Sequence, residues 1–316
     1  MLYSIIRHLL TKGNIMKVLV TGGCGFIGSH LIDLLVDSGY TVVNVDDLSA
    51  DNDQFYFNEN VKNYHFDVCN TKQLISVSKG CKFIFHLAAE SRLGASIANP
   101  RKAIDSNIKG VVSVLEAAKA NNIKGIVFSS TSSIYGLNTN FPLKETERED
   151  CLNAYASTKY AAELFLRNYY EIYGIKSVIL RYFNVYGERS PKSGQYALVL
   201  GIFEKLLKDG KPLTVTGDGT QERDFIHVKD IAAANIRCID CFDLVPDMWK
   251  AHVFNIGYGE TKTINEIANT LSDSIVYIKK PAGEALNNLS DNTKFKLTTD
   301  WKPTINVIDW IKEKLL

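Results

Sequence analysis

Residues 17–30 read Lys17-Val18-Leu19-Val20-Thr21-Gly22-Gly23-Cys24-Gly25-Phe26-Ile27-Gly28-Ser29-His30. A short β-branched run, Lys17–Thr21, enters a glycine-rich turn, and a helical pattern over Phe26–Asp37 begins before the turn has ended. Gly22, Gly25 and Gly28 are spaced G-x-x-G-x-x-G. Glycine permits the tight turn and lets the backbone approach a pyrophosphate, while the helix N-terminus presents free amides and the positive end of its dipole. Such a pattern alone is a weak signal. Its seat between the first strand and first helix of an alternating chain gives it weight. Gly22, Gly25 and Gly28, with Phe26 and Ile27 among them, are therefore candidate dinucleotide-binding residues.

Outward from this turn the alternation continues. Strands are expected at Thr41–Val45, Tyr64–Asp67, Lys82–Leu87, Lys124–Ser129 and Ser177–Arg181, and helices at Arg101–Ala120 and Tyr155–Tyr173. In the first of these helices Val111, Val112, Leu115 and Ala118 recur at helical spacing. Apolar strands alternating with helices imply a parallel sheet covered on both faces. Right-handed crossovers then give an α/β, doubly wound Rossmann fold. Beyond Gly187 the rhythm changes to a helix from Leu198 to Lys208 and short strands near Pro212–Val215 and Val253–Ile256. The expected organisation is an N-terminal extension over 1–15 and a dinucleotide-binding domain over 16–187. A smaller substrate-binding region over 188–316 is expected to interleave with the first.

Asp46 ends the second strand, about twenty residues past the glycines, where a carboxylate holds adenosine ribose hydroxyls. With Asp47 beside it and no adjacent Arg, it repels the additional phosphate of NADP, so NAD is the expected cofactor. Asp67-Val68 follows the third strand and is placed to meet the adenine, although Asp67 alone reads as an ordinary strand-end cap.

Composition narrows the partners. The 316 residues carry 36 Lys+Arg against 35 Asp+Glu, without the basic surplus of a nucleic-acid binder. Among the six cysteines, Cys238 and Cys241 form one C-x-x-C pair with no second pair or His cluster, so buried thiols are expected and no metal. Reduced thiols without an export signal fit the cytoplasm. Arg7 and His8 break the apolar character of the first fifteen residues, and no run approaches the ~18 apolar residues of a membrane span.

Tyr155-Ala156-Ser157-Thr158-Lys159 places a phenol and an ammonium on one helical face. A free phenol titrates near pH 10, and a neighbouring positive charge is expected to lower that value and make the phenolate a usable base. This spacing is common by chance, but it belongs to a series. The glycine turn, His86-Leu87-Ala88-Ala89, Asn107, Ser129–Gly136 (SSTSSIYG), Tyr155–Lys159, Arg181–Gly187 (RYFNVYG) and Gly217–Phe225 (GDGTQERDF) follow in order.

From Met16 onward the chain thereby resembles the extended short-chain dehydrogenases of the NAD-dependent sugar epimerase/dehydratase family. The resemblance implies a hydrogen bond from Thr131 to the reacting sugar hydroxyl, with Ser132 assisting. Tyr155 is the implied base, with Lys159 activating it and holding the nicotinamide ribose. Leu87, Ala88 and Ala89 become cofactor contacts, and Asn184 and Arg223 bind a nucleotide-diphosphate sugar. A homodimer is also implied, formed through the helices Arg101–Ala120 and Tyr155–Tyr173.

In the family's dehydratases an acidic pair follows the catalytic Thr; here Ser132 and Ser133 stand there. Without acids to expel water, the simplest outcome is a 4-keto sugar that regains its hydride on the other face, which is 4-epimerisation. A nucleotide-sugar 4-dehydrogenase or reductase shares the same half-reaction. A non-catalytic dinucleotide-binding regulator is disfavoured because Thr131, Tyr155 and Lys159 are all present. Pro281 or Ala282 stands where the family commonly has a second phosphate-clamping Arg, which points toward a GDP- or CDP-sugar, and Asn288 falls near the residue that limits the bulk of the sugar substituent.

Overall fold

The computed structural model describes residues 16–50, 54–91, 93–192, 198–279 and 287–316. The N-terminal extension and the segment with Pro281 and Ala282 lie outside the described residues.

The glycine turn joins β1 (Lys17–Thr21) to α1 (Phe26–Asp37), as its sequence dictates. Next come β2 (Thr41–Asp46), β3 (Lys62–His65), α2 (Thr71–Val77) and β4 (Phe83–His86). Then follow α3 (Leu93–Ala98), α4 (Pro100–Ile104), α5 (Gly110–Asn121), β5 (Gly125–Thr131), α6 (Ala154–Tyr173), β6 (Ser177–Tyr182) and β7 (Asn184–Tyr186). A seven-stranded parallel sheet runs β10-β6-β5-β4-β1-β2-β3, its edge strand β10 (Lys250–Ile256) arriving from the C-terminal region. Chain order reverses between β1 and β4, the crevice where doubly wound sheets bind ligands at the carboxyl ends of their strands.

Both faces of this sheet are covered, which explains why β4, β5 and β6 are buried along their whole length. Leu31, Ile32 and Leu35 of α1 pack one face together with Ile231 and Ile236 of α8 (Val228–Asp240). Val111, Val114 and Leu115 of α5 and Ala162 and Leu166 of α6 pack the other. Each fully buried Leu, Ile, Val or Phe contributes about 1.5–3 kcal/mol, so burial on two faces dominates the stability of this layer. Cys238 and Cys241 are buried and free at the end of α8.

The C-terminal region adds α7 (Val199–Lys208), β8 (Leu213–Thr216), β9 (Glu222–His227), β11 (Thr261–Thr263), α9 (Ile264–Leu271), β12 (Ile275–Ile278), α10 (Thr293–Thr299) and α11 (Val307–Lys314). Here β9 lies between β11 and β7, and β8 pairs with β12.

Three departures from expectation bear on the site. β3 begins and ends two residues earlier than the hydropathy pattern suggested, leaving Asp67 beyond the strand. The helix expected over Arg101–Ala120 is split: α4 begins with Pro100 at its first turn, residues 105–109 form a π-helical turn, and α5 follows. Buried Asn107 sits in that π turn, donating to Thr158 Oγ1 (2.9 Å) and to Glu90 O (3.1 Å) while accepting from Glu90 N (2.8 Å). Three bonds from one amide tie α6 to the loop after β4 and give the local unwinding its reward, as π-turns near sites commonly do. The third departure is β9, whose polar opening Glu222-Arg223-Asp224 hides a strand because its partners are remote in sequence.

Candidate active site

The carboxyl ends of the sheet strands open into a cleft of about 820 Å³. Its dinucleotide end is shaped by backbone. Gly22 has φ +73°, and a Cβ there would fall 2.6 Å from Ala88 N; one on Gly28 would fall 2.1 Å from Gly22 O. Gly25 meets only Gly22 O, at 3.6 Å, so the space over the N-terminus of α1 stays open. Gly25 is also the N-cap of α1 and provides no side-chain cap, leaving that helix end without a side-chain acceptor of its own. Asp46 accepts from Cys24 N (2.9 Å) and Leu48 N (2.9 Å), fixing the carboxylate at the rim; burial raises its carboxyl above the ordinary value while these two bonds pull it back.

Gly22, Gly25, Phe26, Ile27, Gly28, Asp46, Asp67, Val68, Leu87, Ala88 and Ala89 all line this cleft. Asp67 Oδ1 accepts from Cys69 N (2.8 Å), the strand-end cap. Thr21 Oγ1 bridges His86 Nδ1 (2.7 Å) and Ala88 N (3.3 Å), holding the segment after β4 against β1. An open glycine cradle at a helix N-terminus, followed by a rim carboxylate, fits the pyrophosphate and adenosine ribose of NAD.

The reactive end is carried by β5 and α6. Asn153 caps α6 by accepting from Ala156 N (2.9 Å), which starts the helix so that Tyr155 and Lys159 face the cleft. Thr131, at the last position of β5, lines the cleft together with Tyr155, and its Oγ1 lies 3.1 Å from both the Ser133 amide and the Ser133 hydroxyl. Lys159 Nζ donates to Ser129 O (2.7 Å) and lies 4.7 Å from the Phe128 ring.

The electrostatics correct one expectation. Burial raises the Tyr155 phenol above its ordinary value, with the Thr131 side chain opposing. Lys159 is itself pushed down to about 7 by burial, with Glu163 opposing. An amine so depressed is only partly charged at neutral pH, which is why the simple ammonium-lowers-phenol argument does not describe these side chains.

Ser132 and Asn184 line the same cleft. Ser132 Oγ accepts from Asn288 Nδ2 (3.2 Å), and Asn184 Nδ2 donates to Asp224 O (3.0 Å). Arg223 is not among the cleft-lining residues; it stands on β9, its Nη1 donating to Glu222 O (2.9 Å). Its neighbour Asp224, which the sequence reading passed over, is fully buried and accepts from Tyr258 N (2.7 Å), Gly259 N (3.1 Å), Ser290 N (3.0 Å) and Ser290 Oγ (2.5 Å). It thus joins β9 to two C-terminal loops. Lys102 also lines the cleft and was missed; it pairs with buried Glu90 at 3.3 Å. No spacing rule reveals it, because the split helix decides which way it faces.

Comparison with known proteins follows the same lines. The model of the NAD-dependent epimerase/dehydratase family matches residues 18–257. A putative UDP-glucose 4-epimerase of Methanocaldococcus jannaschii is 32% identical over 303 residues, covering 93% of this chain and 96% of that one. Among solved structures, the UDP-N-acetylglucosamine 4-epimerase of Methanobrevibacter ruminantium in complex with UDP-N-acetylmuramic acid has a TM-score of 0.83 at 34% identity, covering 96% of each chain. The UDP-glucuronic acid 4-epimerase of Bacillus cereus, in complex with UDP-glucuronic acid and NAD, has a TM-score of 0.85 at 28% identity, covering 94% of this chain and 97% of its own.

Proposed function

This chain belongs to the NAD-dependent epimerase/dehydratase family, and we propose that within it the protein inverts carbon 4 of a sugar carried on a nucleotide diphosphate. The observation that carries the reading is the junction of Thr131, Tyr155 and Lys159 in the cleft that the glycine turn also lines, with serines 132 and 133 in place of acids after Thr131.

NAD, when bound, supplies a hydride acceptor that later becomes the donor. The chain's own residues do the rest. Thr131 orients the sugar 4-hydroxyl, and Tyr155 takes its proton as carbon 4 is oxidised to the ketone. Lys159 holds the phenol–phenolate pair from beneath. The 4-keto sugar turns about its link to the diphosphate while Asn184 and Arg223 retain the nucleotide, and Tyr155 returns the proton to the new alcohol. Ser132 and Ser133 present hydroxyls and no carboxylate, so no group after Thr131 drives loss of water.

The three named relatives act on or bind uridine diphosphate sugars, which supports uridine as the base here despite Pro281 and Ala282. Residues 188–316 are read as the substrate-facing part. We also propose a homodimer along α5 and α6, supported by exposed Leu164 and Ile172 on α6, and a cytoplasmic setting, supported by six free cysteines. No helix among the described residues is long and apolar enough to cross a membrane.

The test is a panel of UDP-, dTDP-, GDP- and CDP-linked hexoses, hexosamines and hexuronic acids, with products read by NMR. A 4-epimer from a UDP-sugar supports the reading. A 4-keto product released with net NADH makes the protein a 4-dehydrogenase, and a GDP- or CDP-sugar as sole substrate overturns the choice of base.

A further inference from the structure

β5 and α6 meet at three levels. Thr131 and Tyr155 line the cleft together, the Ser129 carbonyl accepts from Lys159 Nζ at 2.7 Å, and Ser130 Oγ donates to Glu163 Oε1 at 2.5 Å. Glu163 lies four residues past Lys159 and eight past Tyr155, so the three side chains share one face of the helix. The first two line the cleft; Glu163 does not.

Glu163 and Arg181 are both fully buried. Arg181 grips the carboxylate with Nε to Oε1 at 3.0 Å and Nη2 to Oε2 at 2.7 Å. Ser130 and Arg181 are direct register partners on neighbouring strands, so both strands beneath α6 converge on one carboxylate. Glu149 reaches Arg181 Nη2 at 3.5 Å, and the Tyr135 ring lies 4.9 Å from the guanidinium.

A buried ion pair is a poor device for stability alone, since apolar residues of similar volume often do as well or better. Its position relative to Lys159 supplies the missing reason. Around the Lys159 amine stand Glu163 from α6, the helix that carries Tyr155 on the same face, the Phe128 ring and Ser129 carbonyl from β5, and His86 from β4. Burial holds His86 neutral, its pKa pushed down to about 3, so it adds no positive charge beside the amine. Glu163 is the carboxylate whose charge opposes the loss of the Lys159 proton.

We propose that Glu163, anchored by Arg181 and Ser130, is a positioning residue that sets Lys159 beneath Tyr155 and supplies the negative charge that keeps its buried ammonium protonated. The proposal rests on the epimerase reading for its kinetic readout alone. The sign is fixed: an ammonium favoured by Glu163 is present at low pH and lost as pH rises, and removing the carboxylate brings that loss to lower pH.

The test uses NAD-loaded full-length protein as wild type, Glu163→Gln, and the double variant Glu163→Gln/Arg181→Met, which removes both buried charges and serves if the single variant does not fold. In ¹³C-lysine-labelled protein the Lys159 Cε resonance, assigned by its loss in Lys159→Met, is followed against pH. Its midpoint should fall by about one unit in the variants. The alkaline limb of kcat should move down by a similar amount, with KM within about twofold of wild type. A folded variant whose resonance and limb stay where they are in wild type overturns the proposal. If wild type turns over no nucleotide sugar, the epimerase reading fails, yet the resonance still decides the role of Glu163.

Discussion

At the dinucleotide end of the cleft the backbone makes the shape; at the sugar end side chains make it. Gly22 and Gly28 stand where an added methyl would fall 2.6 Å and 2.1 Å from neighbouring backbone atoms. Ser132, Asn184 and Asn288 are instead held by hydrogen bonds of about 3 Å to partners from distant parts of the chain, and Thr131 by a local one to Ser133. A backbone-built end tolerates almost no variation in residue type, and its remote contact with Ala88 is set by the pairing of β1 with β4. A side-chain-built end can be retuned residue by residue, which suits an NAD-dependent family whose members are named for different sugars.

The largest effect should come where the two ends meet. Tyr155→Phe removes the proton-transferring group without altering the glycine turn, so kcat should fall by roughly 10²–10⁴-fold while NAD binding, followed by calorimetry, stays unchanged. Residual turnover near the wild-type rate would remove Tyr155 as the base. Gly28→Ala attacks the other end: the methyl confronts Gly22 O, and overpacking of about 1–3 kcal/mol should weaken NAD by up to about a hundredfold, with a lowered Tm. An alanine variant with intact NAD affinity would show that the turn is looser than its contacts imply.

Asp46→Ala tests a side chain inside the backbone-built end. It removes bonds to Cys24 N and Leu48 N together with the ribose carboxylate, and NAD affinity should drop by about tenfold, the order expected for hydrogen bonds to a charged group. Unchanged affinity would assign Asp46 to the turn alone. Arg223→Ala should have the smallest effect, raising KM for the sugar nucleotide by about fivefold with kcat retained, because the arginine stands beside the cleft and not in its wall. A fall in folded yield with unaltered KM would make it structural.

The same division decides what the sequence discloses. The glycine turn, β1, α1 and the parallel, doubly wound sheet follow from local patterns, since a tight turn needs glycine wherever it occurs and buried parallel strands must be apolar. Tyr155 and Lys159 are legible because four residues in a helix fix their shared face. Lys102 is not legible, because the π turn at residues 105–109 depends on Asn107 finding Thr158 on another helix. Asp224 and the β9 strand are hidden for a similar reason: their partners Ser290, Tyr258 and Gly259 lie more than thirty residues away. Nor does spacing disclose the acid–base balance. It predicts a lowered phenol, whereas burial raises Tyr155 and depresses Lys159.

The most direct measurement uses UDP-hexoses deuterated at carbon 4, incubated with the purified protein and followed by proton and deuterium NMR alongside NADH absorbance. Oxidation and return of hydride at one carbon predict a 4-epimer that keeps its deuterium at carbon 4, with no net NADH. Loss of the deuterium to solvent, or a ketone released with an equivalent of reduced cofactor, would contradict 4-epimerisation.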